Sequence, residues 1–146
     1  MARKVFFSFK YEDVVRAMNV RNSNVISGAL KSGFIDKADF EKVERQGDAA
    51  IKAWIDTQLE GTTVTVVLIG ENTDQSRWVK YEIAQSIARG NGILTIDISK
   101  IEDFDKKTTS CCGLRVDGAK HYLWNNDKGR DNLGAWVENA AKMAGK

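Results

Sequence analysis

Residues 64–70, Val-Thr-Val-Val-Leu-Ile-Gly, form an apolar run broken by a single hydroxyl. A strand with one wet face alternates apolar and polar side chains, and this one does not. Both of its faces must therefore be covered, as happens in a parallel sheet. The stretch Ser76-Arg77-Trp78-Val79-Lys80-Tyr81-Glu82 follows closely and opens an amphipathic helix. Trp78 and Glu82 are four residues apart, so they lie one turn above each other on one helical face. The helix starts where the strand ends, beside the crevice that open α/β sheets use for ligands. A glutamate in that place is a cap, a surface charge or a catalytic group, and the rest of the chain must decide which.

The same pattern extends through the sequence. Lys4 to Phe9 reads as a buried first strand, and a helix follows between Glu12 and Lys31, interrupted at Asn22-Ser23-Asn24. Gly33-Phe34-Ile35 suggests a short second strand that leads into a charged loop. Ala50, Ile51, Trp54, Ile55 and Leu59 recur at helical spacing until Gly61, and the third strand runs from Thr63 to Ile69. Val79, Ile83 and Ile87 give the next helix an apolar stripe. Ile93 to Ile98 is the fourth strand, and His121 to Trp124 the fifth. Between them, residues 99–118 read as a polar loop with one short helix. Leu133, Trp136, Val137, Ala140, Ala141 and Ala144 mark the last amphipathic helix.

Strands alternating with helices predict a single α/β domain over residues 1–146, with a five-stranded parallel sheet covered by helices on both faces. The flavodoxin-like strand order makes strands one and three neighbours, and ligands bind where the chain reverses between them. Two loops line that point: Phe9-Lys10-Tyr11, and Glu71 to Arg77. Phe9, Lys10, Trp78 and Glu82 are thereby brought toward one place.

Composition removes several alternatives. The net charge of +2 by itself argues neither for nor against nucleic acid; no Lys/Arg run or one-sided basic helix accompanies it, and no nucleic-acid partner is expected. No apolar run approaches the length of a membrane span or a signal-peptide core, and the expected compartment is the cytoplasm. The two cysteines, Cys111 and Cys112, are adjacent, which fits a reducing compartment better than a disulfide. His121 is the only histidine, so neither a metal site nor a Cys-His or Ser-His nucleophile is well supported. The first strand ends in Ser8-Phe9-Lys10 and lacks the acidic pair of a phosphoryl receiver.

Val5-Phe6-Phe7-Ser8-Phe9-Lys10, followed by Asp13, resembles the first-strand motif of TIR domains. Trp78-Val79-Lys80-Tyr81-Glu82 is similar to the tryptophan-to-glutamate spacing of NAD-cleaving TIR domains, in which the glutamate is catalytic. The closest resemblance is to the TIR-like branch of the Thoeris antiphage system, which also has counterparts of Val20-Arg21-Asn22 and Ser86-Ile87. The similarity runs from Arg3 to about Asn91 and resumes loosely from Asp117 to Val137. The loop after the second strand lacks the proline that adaptor-type TIR domains use in partner contacts.

The resemblance implies a TIR-like fold that consumes NAD+ as substrate and needs no bound cofactor. Glu82 would be the catalytic residue, with Ser8, Phe9, Lys10, Arg21, Asn22 and Trp78 at the substrate. The product would be a cyclic ADP-ribose isomer or a related ADP-ribosyl messenger that switches on a separate effector. Self-association is expected as well. The chemistry suits one carboxylate: nicotinamide leaves as a neutral molecule and needs no proton, so a single anion can stabilise the oxocarbenium-like transition state. The competing readings are a non-catalytic TIR-like interaction module and a nucleotide-binding protein without turnover.

Overall fold

The four strands β1 (Val5–Ser8), β2 (Val64–Ile69), β3 (Gly92–Asp97) and β4 (Lys120–Leu123) hydrogen-bond in that order, every pair parallel. The structure, a computed structural model, describes residues 4–22 and 42–146. The expected first and third strands are indeed neighbours, with Phe7 opposite Val66 and Ser8 opposite Val67. Four of the five expected strands are thus present; the short one at residues 33–35 lies outside the described residues. The helices are α1 (Val14–Arg21), entered through a 3-10 turn at Tyr11–Asp13, then α2 (Asp48–Leu59), α3 (Arg77–Ala88) and α4 (Gly129–Met143).

Side chains alternate across the sheet, and the helices divide accordingly. Val5, Phe7, Val66, Leu68, Leu94 and Ile96 pack with Ala17 and Val20 of α1 and with the Leu133–Ala141 stripe of α4. On the other face Phe6 packs with Ile51, Ile55 and Leu59 of α2, while Val67 and Ile69 meet Val79 of α3. β2 is buried along its whole length, which explains why its sequence shows no alternation.

The inward face of α3 differs from the expected apolar stripe. Val79, Glu82 and Ser86 are its buried residues, whereas Ile87 is 58% exposed. At about 100° per residue, position 86 falls about 20° from position 79 on the helical wheel, and position 87 about 80° away. Geometry therefore selects the serine over the isoleucine. Ser86 is satisfied locally: its hydroxyl lies 2.7 Å from Thr65 Oγ1 and donates to the Glu82 carbonyl. Asn91 adds hydrogen bonds to Thr62 and Thr65, so a short polar seam runs beneath α3.

Residues 99–118 contain no helix, in contrast to the one anticipated there. Local hydrogen bonding holds this segment instead. Asp103 accepts from the backbone of Asp105 and Lys107. The buried Arg16 donates to the carbonyls of Ile101 and Lys107 at 2.8 and 3.0 Å. Cys111 and Cys112 are free thiols, and with Leu114 they cover the Val67–Ile69 face of the sheet.

Gly92 opens β3 against the C-terminal half of α4, and a Cβ there would collide with the backbone carbonyl of Ala140. A backbone obstacle cannot rotate away. Gly92→Ala should lower the unfolding free energy by about 1–3 kcal/mol, the usual cost of overpacking, read from the urea midpoint at constant slope. An unchanged midpoint would show that β3 and α4 are not in this close contact.

Candidate active site

A cavity of about 290 Å³ opens at the carboxyl end of β1, between α2 and α3. This is near the lower end of the size range of small-molecule pockets, roughly 300–1,000 Å³. Its walls are aromatic: Phe7, Phe9 and Tyr11 from β1 and the turn after it, Trp54 from α2, and Trp78 from α3. Lys10, Glu44 and Arg77 supply the charged part of the lining, and Glu82 contributes a carboxyl group.

Local structure sets each of these groups. Ser76 caps α3 by accepting from the Val79 amide at 3.2 Å, which fixes the start of the helix that carries Trp78 and Glu82. Trp78 packs on the Phe6–Ile55 cluster and meets Tyr81 edge-on at 6.2 Å. The Arg77 guanidinium lies 4.4 Å from the Trp78 ring and makes a two-pronged ion pair with Asp48 at 2.7 and 3.0 Å. The arginine charge is thereby neutralised, and the tryptophan is clamped from the solvent side. Lys10 pairs with Glu12 at 2.8 Å while remaining one-third exposed.

Glu82 is only 8% exposed. The Ser8 hydroxyl donates to its Oε1 at 2.7 Å, and among the described residues Oε2 accepts no hydrogen bond. Burial disfavours the anion and pushes the Glu82 carboxyl up to about 8, against which the Ser8 hydrogen bond acts in the opposite direction. At neutral pH this balance favours the protonated form of the Glu82 carboxyl.

The family model described as "Thoeris protein ThsB, TIR-like domain" matches residues 6–103, about two-thirds of the chain. The chain belongs to this family. It is also 42% identical over 106 residues to a protein of Bacillus cereus (strain MSX-D12) named "Putative cyclic ADP-D-ribose synthase ThsB1". That alignment covers 70% of the chain and 55% of the relative, so the chain spans about half the length of the protein it matches.

Within this TIR-like domain, Phe9, Lys10, Trp78 and Glu82 line the cavity together, as the strand order predicted. Ser8 is fully buried and reaches the site through the Glu82 carboxyl, with no place on the cavity wall. Arg21 and Asn22 end α1 and do not line the cavity. Tyr11 and Arg77, from the two loops expected at this point, also line the cavity, and Glu44 and Trp54 join them without a sequence signal of a site. Trp54 was legible only as a member of an apolar helical stripe. His121 stands away from the cavity, with Nδ1 2.7 Å from Thr95 Oγ1.

A second buried carboxyl, Asp13, lies in the turn after β1. Asp13 is pushed up to about 6, chiefly by burial and then by Glu12, with Arg16 acting the other way. It packs so closely on Gly70 that a Cβ there would overlap its carboxylate. Gly70 thus lets the loops that follow β1 and β2 approach each other.

These two shifts have the same sign in a stability profile. An acid whose folded value is raised contributes stability that is fully present below its ordinary value and is lost as pH rises through the folded one. For Glu82 the window runs from 4.5 to about 8, and for Asp13 from 3.8 to about 6. Between pH 6 and 8 the glutamate therefore dominates, with a slope of at most about 1.4 kcal/mol per pH unit. Glu82→Gln should remove that slope and melt above the parent at pH 8, by differential scanning calorimetry. Parallel melting curves for the two proteins across this range would mean that Glu82 ionises as an exposed carboxyl does.

Proposed function

We propose that this chain is an NAD+-cleaving enzyme that makes a cyclic ADP-ribose isomer or a related ADP-ribosyl signalling nucleotide in antiphage defence. The observation that carries the proposal is the Glu82 carboxyl, buried at the end of an aromatic cavity with one oxygen that no described group donates to. The name of the Bacillus cereus relative supports the same chemistry.

In the proposed reaction the bond from C1′ of the nicotinamide ribose to the pyridinium nitrogen breaks, and its electron pair leaves with neutral nicotinamide. Positive charge passes onto the ribose, where the Glu82 carboxylate stabilises it. The cationic substrate also helps to create that anion, since a positive charge beside a buried carboxyl lowers its proton affinity. Phe9, Tyr11, Trp54 and Trp78 offer ring faces to the bases. Lys10, partly exposed at the first loop, can exchange its Glu12 partner for the pyrophosphate. If the bound dinucleotide is folded back, a nitrogen or hydroxyl of its own adenosine half reaches C1′ before water does, and a ring closes. Attack by a hydroxyl sends its proton to solvent; attack by an adenine nitrogen releases none. The product then acts on a separate effector.

Incubating the purified protein with NAD+ and resolving the products by chromatography and mass spectrometry tests this directly. Nicotinamide should appear together with a product of the mass of cyclic ADP-ribose. Glu82→Gln keeps the size of the side chain and should reduce turnover about 10²–10³-fold, as loss of one aligned electrostatic group does. Glu71→Gln, in the exposed loop before α3, is the control and should retain most activity. Equal turnover by the parent and Glu82→Gln would refute the assignment of Glu82. Stoichiometric NAD+ binding without nicotinamide release would favour a nucleotide-binding role instead.

A further inference from the structure

We infer that Ser8 is a positioning residue, which holds the Glu82 carboxyl group by Oε1 so that Oε2 is left to face the cavity. The inference deepens the function proposed above and rests on it for the reaction, although the Ser8–Glu82 linkage itself can be read without any substrate.

Four observations converge on this role. Ser8 is fully buried and is not among the residues that line the cavity. Its donor is committed to Glu82 Oε1 at 2.7 Å. No other described group donates to the carboxyl, which leaves Ser8 as the one contact that fixes its rotation. The β1–β2 register, with Ser8 opposite Val67, places the serine on the face that α3 covers. A carboxyl held by a single oxygen presents the other in a defined direction, which is what stabilisation of a developing cation requires.

The charged groups around Glu82 are otherwise engaged. Lys10, from the first loop, pairs with Glu12. Arg77, from the same helix as Glu82, pairs with Asp48 of α2. Tyr81 donates to Asp56. Glu44 lines the cavity and is exposed. None of them is among the groups that move the Glu82 carboxyl from its ordinary value.

The test compares the parent with Ser8→Ala, Ser8→Thr and Ser86→Ala. Ser86 is an equally buried serine of α3 that bonds the Glu82 carbonyl and leaves its carboxyl untouched. The first readout is the pH dependence of stability, with Glu82→Gln subtracted as the baseline. Ser8→Ala should move the Glu82 midpoint upward by about one to two pH units, as expected on losing one hydrogen bond to a charged acceptor. Ser8→Thr, which keeps the hydroxyl, should restore it. Ser86→Ala should alter the melting temperature and leave the midpoint in place. The second readout is kcat/KM against pH, which reports the free enzyme. Its acid limb should move with the stability midpoint. At pH 7 Ser8→Ala should lose about tenfold in kcat/KM for each pH unit by which that limb rises.

A Ser8→Ala midpoint equal to that of the parent overturns the inference, as does an equal displacement by Ser86→Ala. Failure of the parent to release nicotinamide overturns the NAD+ reading, and the stability curves then still decide the Ser8–Glu82 linkage. Displaced stability curves with an unmoved kcat/KM limb would show that Ser8 charges the carboxyl without serving the reaction, and would overturn the positioning role.

Discussion

In the β1–β2 ladder Ser8 stands opposite Val67, and that pairing governs what lies beneath α3. Strand side chains alternate between faces, so a slip of one residue would turn Ser8 toward α1 and α4. Phe7 would take its place, and the Glu82 carboxyl would lose its donor within an apolar wall. The register is secured by bulk more than by polarity. Phe7, Val66 and Leu94 stand side by side and are packed by α1 and α4 on one face, while Phe6 is packed by α2 on the other. The core thus holds a hydrogen bond that could not hold the core, since a single one contributes only about 1–3 kcal/mol even to a charged acceptor.

Much of this arrangement could be read from the sequence because burial on two faces leaves a distinctive mark. The runs at Val5–Ser8 and Val64–Ile69 lack alternation, and they proved to be neighbours in the sheet. The start of α3 was legible too, since Ser76 is an ordinary capping residue three positions before Val79. Legibility failed where polar residues face inward. Ser86 and Thr65 satisfy each other across the helix–sheet interface, and no periodicity count credits such a pair with burial. Ile87 was assigned to the core for the complementary reason: hydrophobicity suggested what the helical angle forbids. Trp54 resembled core because half of it is core, packed on Phe6 and Ile55 while its remaining surface borders the cavity. A sequence reports residue type and spacing, whereas the cavity wall is defined by what lies opposite.

The site concentrates two opposing electrostatic tendencies. Burial alone would keep Glu82 protonated, and a protonated carboxyl does little for a developing cation. The groups that could counter this by charge are occupied elsewhere: Lys10 by Glu12, and Arg77 by Asp48. A permanent cation beside Glu82 would ionise it fully and would also repel a positively charged substrate. Leaving the carboxyl with a neutral hydroxyl donor avoids that conflict. Under the proposed function, the cation that completes the ion pair arrives with the nicotinamide ring.

The aromatic lining belongs to the same logic. Interactions between charges strengthen as water is excluded, so a carboxylate in an apolar cavity acts on a nearby cation far more strongly than one at the surface. Phe9, Tyr11, Trp54 and Trp78 provide an apolar surround, and the Arg77 guanidinium packs on the Trp78 ring at one wall. The Arg77–Asp48 clamp is itself a surface ion pair, worth little to global stability. Its consequence is local: it ties the first residue of α3 to the first residue of α2, the two helices between which the cavity opens. Losing it would loosen the Trp78 wall and admit water. The Glu82 anion would then become easier to form and weaker in effect, so ease of ionisation and catalytic strength would change in opposite directions.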